Sequence, residues 1–297
     1  MYARVASENV VRLASGDATA LLSLRGAEPL VWRIGDRDYL WSGDPAWWDR
    51  CAPILFPVVG ASAGGKVRVG GQSYPMPRHG FARDSQFSVV EARPDRARLR
   101  LTANENSRTH YPFDFTFDVV ATLTPKTLSL AFEIGNAGEA AMPYSLGFHP
   151  AFPWPFDGGD GGGHSVEFER EEKASVSDIT RDGLIGAGQR PVPLKGTVLP
   201  LAHDLFAHDA LCFFDARSKV LKFRSPRGAA VAMEMEDFPH LALWTKPGAP
   251  FLSMECWTGH ADLDGFSGEL SQRASGRSLA PGGKARHAVT MRVADAA

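Results

Sequence analysis

Three short stretches of the chain set ionisable side chains among turn residues and aromatics, where protons can be exchanged with a bound molecule. Residues 77–87 (PRHGFARDSQF) contain His79, Arg83 and Asp84; residues 143–156 (PYSLGFHPAFPWPF) contain His149; residues 247–262 (PGAPFLSMECWTGHAD) contain Glu255, Trp257 and His260. His149 precedes Pro150, which steers its backbone towards extended or turn conformations. The following seven residues hold three prolines, two phenylalanines and a tryptophan, a stiff aromatic wall for a concave site. An imidazole there titrates near neutral pH and suits proton transfer, with a backbone-bonded core histidine as the structural alternative. Glu255 follows the apolar residues 251–254, and desolvation in such company raises a carboxyl pKa and favours a general base. Met254 and Cys256 have the opposite parity, so a glutamate on the solvent face of an edge strand is the other reading.

His79 and Arg83 are four residues apart, and Gly80 between them permits a tight turn that converges side chains on a ligand. Arginine adds a planar fork for hydroxyls, carboxylates or phosphate. A hairpin turn with surface charges would read the same way. Asp209, in LFAHDAL, is equally a ligand or a turn residue. His203 and His208 are five apart, a spacing that fits neither a helix face nor a zinc pair. His110, His164, His240 and His287 show no partner in the sequence and are read as structural or solvated.

The elements that must position these groups are strands. Phe113, Phe115, Phe117, Val119, Ala121 and Leu123 alternate with mostly polar residues, which predicts a half-buried strand. Leu128, Leu130, Phe132 and Ile134 repeat the pattern after the turn-like TPK at 124–126. Leu99 and Leu101, then Val231, Met233 and Met235, and finally Val289, Met291 and Val293 do the same. No stretch of a dozen residues carries a helical apolar stripe. Thirty glycines and 21 prolines punctuate the chain as many short strands require. The prediction is an all-β, antiparallel architecture, because parallel strands need crossover helices.

At 297 residues, with 44% hydrophobic and 22% charged, the chain can build a sizeable core, and no composition shift divides it. We read residues 1–297 as one domain. A net charge of −2 without a basic block disfavours nucleic acid or an anionic membrane as partner and is compatible with a neutral small molecule. Three widely spaced cysteines, Cys51, Cys212 and Cys256, read as free thiols of a reducing compartment, not as a disulfide framework or zinc ribbon. The N-terminal residues lack a signal-peptide pattern, and no apolar run approaches the ~20 residues of a membrane span, so cytoplasmic localisation is expected. DGGDGGGH, residues 157–164, does not follow a strand into a helix and lacks the P-loop lysine, so it reads as a flexible surface loop.

Together, GDPAWWDRCAPILFPVVG (43–60), RHGFARDSQF (78–87), SLGFHPAF (145–152) and WTKPGAPFLSMECWTG (244–259) resemble the aldose 1-epimerase family, especially its bacterial galactose mutarotase-like branch. The match runs in order over most of the chain, and HGFAR, GFHPAF and the C-terminal glutamate are specific as a set. The resemblance implies a large twisted antiparallel β-sandwich, the galactose mutarotase-like supersandwich, with a cleft across one sheet. It implies mutarotation of a hexose: Glu255 takes the proton of the anomeric hydroxyl, His149 protonates the ring oxygen, and the ring opens, rotates and recloses. His79 is then the second histidine on the sugar, Arg83 and Asp209 bind hydroxyls, and Trp257 forms an apolar wall. Neither metal nor cofactor is implied; the partner is a small-molecule sugar, and the oligomeric state is not indicated.

One departure bears on the substrate. Many relatives carry an arginine just after the glycine of the LFPxVG segment, whereas Gly60 is followed here by Ala61, Ser62 and Ala63. Arg50, Lys66, Arg68 and Arg78 are the candidate replacements. Alternative readings are a hexose 6-phosphate epimerase, which needs converging basic groups, and a non-catalytic carbohydrate-binding protein on the same fold. A hydrolase would usually show paired carboxylates, and none stands out near the motifs.

Overall fold

The computed structural model describes residues 9–157 and 159–294. Residues 1–8, which the N-terminal reading includes, and Gly158 of the glycine-rich loop lie outside the described residues. The period-two segments form the strands they predict. Phe115–Leu123 pairs with Thr127–Asn136 around the 124–126 turn, with Phe117 opposite Ile134, Val119 opposite Phe132 and Leu123 opposite Leu128. Phe113 falls just before the strand and packs against Tyr111, ring centroids 4.7 Å apart. Ala230–Glu236 pairs with Lys284–Ala294, matching Val231 to Val293, Met233 to Met291 and Met235 to Val289.

These strands belong to a nine-stranded antiparallel sheet ordered Val198–Pro200, Ser165–Phe168, Val220–Arg224, Ala230–Glu236, Lys284–Ala294, Thr127–Asn136, Phe115–Leu123, Arg96–Thr102, Ser88–Arg93. Away from the core, its polar face carries a charge network: Asp118 is gripped by Arg98 and Arg100, both at 2.6 Å. A second sheet runs Leu211–Phe213, His240–Trp244, Phe251–Trp257, Gly147–Phe148, Ile54–Leu55, with Ala151–Pro153 also paired to Phe251–Trp257. Aromatic contacts join the two sheets: Phe56 to Phe117 at 4.7 Å, Phe168 to Phe213 at 4.9 Å and Phe132 to Phe148 at 5.8 Å. Burying each such side chain contributes roughly 1.5–3 kcal/mol. The fold is therefore the predicted large antiparallel β-sandwich. Among the described residues the one α-helix is a single turn, Glu105–Arg108, capped by Asn104. No helix there is long and apolar enough to cross a membrane. All three cysteines are buried, and none is in a disulfide among the described residues.

Phe251–Trp257 is the strand that matters for the site. Leu252, Met254 and Cys256 enter the main core, while Phe251 and Trp257 join smaller clusters on the other face with Trp48, Trp244 and Ala242. All seven residues of the strand are buried. The parity read from the sequence is thus correct, but the face opposite the core is covered by other segments. Glu255 is 2% exposed, so it does not sit on a solvent face.

Candidate active site

Antiparallel register brings His149 to Glu255. Gly147 is opposite Trp257 and Phe148 opposite Cys256; pairing resumes with Ala151 opposite Ser253. The register is unbroken across Pro150, so His149 falls directly opposite Glu255 on the face away from the core. Side chains at such cross-strand positions start about 4.5–5.5 Å apart at Cβ, close enough for their tips to touch. His149 Nε2 lies 3.1 Å from Glu255 Oε1. On the other side of the strand the residue opposite Glu255 is Ala242.

The hydrogen bonds around the pair fix its protons. Ser253 Oγ–H donates to Pro150 O at 2.9 Å, so the same oxygen accepts from His149 Nδ1–H at 2.8 Å. That assignment, made from the hydrogen-bond network, leaves His149 Nε2 with its lone pair facing Glu255. Trp257 Nε1–H donates to the second carboxyl oxygen, Oε2, at 3.0 Å. Burial pushes Glu255 well above the ordinary carboxylate range, while the Trp257 hydrogen bond opposes this. Burial also draws His149 down to about 3. Both shifts favour the uncharged form of the pair, with Glu255 Oε1–H donating to His149 Nε2. Trp48 lies against the imidazole, centroids 4.9 Å apart, and Trp244 approaches edge-on at 5.8 Å.

His79 reaches the same place by a different device. Its backbone is left-handed, φ 69°, a conformation that is uncommon for a side-chain-bearing residue and costs on the order of 1–3 kcal/mol. Gly60 pins it twice: the His79 amide donates to Gly60 O at 2.9 Å, and the Gly60 amide donates to His79 Nδ1 at 3.2 Å. With Nδ1 accepting, and burial holding the ring well below its usual pKa, neutral His79 carries its proton on Nε2. Its ring lies 6.0 Å from that of His149. Gly80 makes the turn possible, since a Cβ there would stand 2.2 Å from Phe56 O at a φ of 72°. Gly80→Ala is expected to lower stability by about 3 kcal/mol or more, combining backbone strain with a clash that cannot relax. Urea unfolding monitored by tryptophan fluorescence checks this, and an unchanged midpoint would refute it.

All six residues singled out in the sequence, His79, Arg83, His149, Asp209, Glu255 and Trp257, line one cleft of about 290 Å³, near the roughly 300 Å³ lower bound for small-molecule sites. Arg83 Nη2 donates to Arg78 O at 2.9 Å. Asp209 lies at the rim with φ 74°, its Oδ1 accepting from the Ala210 amide at 2.7 Å. Trp257 is more than the apolar wall expected of it, because its indole N–H holds the Glu255 carboxyl.

Of the candidate replacements for the missing arginine, Arg78 lines the cleft. Arg50 instead braces Asp84, at 2.7 Å, and Arg83 O, at 3.2 Å. Lys66 and Arg68 line a different cavity, with Arg273. Sequence reasoning missed Ser253, Trp48, Trp244 and Cys212 as cleft or support residues. Ser253 was legible in principle, as it has the parity of Glu255 and Trp257 on the same strand. Trp48 and Trp244 approach through tertiary packing and carry no such signal.

The four histidines without a visible sequence partner, His110, His164, His240 and His287, each have one in the structure. His240 Nδ1 accepts from the Asp215 amide, and its Nε2 meets Ser275 Oγ. His287 contacts Tyr144 OH and Asp237. His110 Nδ1 meets Pro75 O at 2.7 Å, and His164 Nδ1 meets Gly161 O at 3.0 Å. The glycine-rich loop is braced internally by that contact and tethered by Trp154 Nε1–H donating to Gly161 O at 2.9 Å. Among the described residues, no group of three or more His, Cys, Asp or Glu side chains is arranged to hold a metal ion.

Comparison with known proteins returns a consistent picture. A sequence model of the family described as Aldose 1-epimerase matches residues 9–292. Two proteins of Lactococcus lactis subsp. lactis, LacX in chromosomal and plasmid forms, are each 32% identical over 240 residues, covering 76% of this chain and 80% of theirs. A galactose mutarotase-like protein from Lactobacillus casei ATCC 334 superposes with a TM-score of 0.90 at 26% identity, covering 96% of this chain and 100% of that one. A galactose mutarotase related enzyme from Lactobacillus acidophilus gives 0.89 at 25% identity, with 97% and 98% covered.

Proposed function

The chain belongs to the aldose 1-epimerase family, and from that membership we propose that it interconverts the α and β anomers of a hexose. Glu255 and His149 form the acid–base pair. The observation that carries this reading is their 3.1 Å contact on the floor of a cleft with a second, differently held histidine beside it. Mutarotation moves one proton off the C1 hydroxyl and one onto the ring oxygen, so its stoichiometry is that of a pair exchanging a single proton.

In the reaction the hemiacetal takes the place of the direct His149–Glu255 contact. The sugar is attacked by the charge-separated form of the pair, Glu255 as carboxylate and His149 as imidazolium. Oε1 takes the proton from the C1 hydroxyl, C1 becomes a carbonyl, and the C1–O5 bond breaks as O5 takes the proton from Nε2. That leaves Glu255 protonated and His149 neutral, the state burial favours in the free protein. Rotation about C1–C2 and the reverse steps on the other carbonyl face give the second anomer. Ser253 keeps the His149 tautomer, and Trp257 keeps one carboxyl oxygen occupied so that the other faces the sugar. His79 Nε2–H, Arg83 and Asp209 hold sugar oxygens.

A second reading is favoured by one observation: Arg78 and Arg83 both line the cleft. Two guanidinium groups suit a phosphate at the far end of a hexose. Exchange NMR on α-galactose, α-glucose and glucose 6-phosphate tests both. Anomer exchange above the buffer-catalysed rate is expected with the protein present. Preference for the phosphate ester would select the second reading, and no acceleration of any of the three would overturn catalysis in favour of a carbohydrate-binding protein.

A further inference from the structure

The cleft has two lips, contributed by neighbouring stretches of the chain. One is the hairpin Ser175–Ile179 and Ile185–Pro191, which contributes Ile179, Gly183 and Ile185. The other is the segment around Asp209, between the short 3-10 turn His203–Phe206 and the strand Leu211–Phe213. A single side chain spans them. From the hairpin, Arg190 Nη1 donates to Leu205 O at 3.1 Å, and Nη2 is shared among His208 O at 3.1 Å, Asp209 O at 3.1 Å and Ala210 O at 2.9 Å. The guanidinium is mostly buried, with 16% of the side chain exposed, and its Nε lies 4.0 Å from Asp178 Oδ1.

One guanidinium thus donates to four backbone carbonyls at once, and a charged donor makes such bonds stronger than a neutral one. Asp209 itself is left-handed, and its φ of 74° sets where its carboxyl emerges at the rim. Oδ1 is occupied by the Ala210 amide, which leaves Oδ2 for the cleft. We propose that Arg190 is a positioning residue for sugar binding: by fastening the 205–210 carbonyls to the hairpin it fixes Asp209 at the rim and holds the two lips in register. This rests on the reading of Asp209 as a hydroxyl ligand. Arg190 touches no reacting atom, so it acts on substrate affinity and leaves the chemical step to His149 and Glu255. Lysine, a single ammonium on a flexible stem, cannot reproduce a fork that serves four carbonyls.

The test is a double-mutant cycle on Arg190→Lys, Asp209→Asn and the double variant, with KM and kcat taken from anomer-exchange NMR. Asn keeps the Oδ1 acceptor for the Ala210 amide and loses the charged second oxygen. Each single variant is expected to raise KM roughly tenfold, and Arg190→Lys to keep kcat within about twofold of the parent. The double variant is expected to be no worse than the weaker single one, because the two act through one contact. Multiplying KM effects, an unchanged KM in Arg190→Lys, or a parallel fall in kcat would overturn the assignment. Galactose affinity read by tryptophan fluorescence carries the same cycle. It separates failure of this proposal from failure of the catalytic reading, since coupling in affinity does not require turnover.

Discussion

Replacing Glu255 with Gln is expected to lower kcat on the order of 10²–10⁴-fold, the usual contribution of a placed acid–base group, while sugar affinity changes little. The substitution is nearly silent structurally. Burial favours the protonated form of Glu255, whose Oε1–H donates to His149 Nε2 and whose Oε2 accepts from Trp257 Nε1–H. A glutamine amide reproduces both bonds, with NH₂ towards His149 and the carbonyl towards Trp257. What it cannot do is take a proton. Anomer exchange at saturating sugar checks this, and wild-type turnover in Glu255→Gln would remove the carboxyl from its role. The same variant carries a stability signature. Glu255 has a folded pKa raised by burial, so its contribution is fully present below the unfolded value, about 4.3, and is lost as pH rises through the folded value. The glutamine amide does not titrate and suffers no such loss. Urea midpoints should therefore shift in favour of the variant as pH rises from 5 to 8, the reverse of what removing a stabilising ion pair would give.

Replacing His149 with Asn is expected to lower kcat by a similar factor, again on the order of 10²–10⁴-fold, through loss of the acid. The shorter amide can keep the bond to Ser253 in the place of Nδ1, but nothing then occupies the Nε2 position opposite Glu255. Turnover near the parent's would show that another group protonates the ring oxygen. The pH signature has the opposite sign to that of Glu255. Burial depresses His149 to about 3, so the neutral ring's contribution is present above the unfolded value of about 6.5 and is lost as pH falls from there towards 3. The His149→Asn variant lacks that loss, and its denaturation midpoint should fall less than the parent's across this window. A parallel pH dependence in both proteins would contradict a neutral buried imidazole.

Much of the fold was legible because strand periodicity is a local property. Phe115, Phe117, Val119 and Leu123 face one way whatever they pair with, and the turn at 124–126 sets the next strand beside them. The site was legible as residue types, since His79, His149 and Glu255 stand in turn-rich aromatic company that composition alone exposes. Parity also separated Glu255 from Met254 and Cys256, but parity says only that two faces exist. Whether the second face meets solvent depends on Trp48, Trp244 and the 175–191 hairpin, which arrive from elsewhere in the chain.

The sequence by itself determined the all-β class and the strands that carry the groups, because each rests on neighbours within a few residues, and its family resemblance pointed to His149 and Glu255 as the proposed acid–base pair. Tertiary structure alone decided that His149 lies opposite Glu255, that burial favours their uncharged forms, and that Arg78 rather than Arg50, Lys66 or Arg68 enters the cleft. Register between strands 106 positions apart, burial that shifts two pKa values in opposite directions, and an arginine clasp between two lips are all long-range terms. They arise from desolvation and hydrogen-bond geometry once the chain has closed, and no local pattern encodes them.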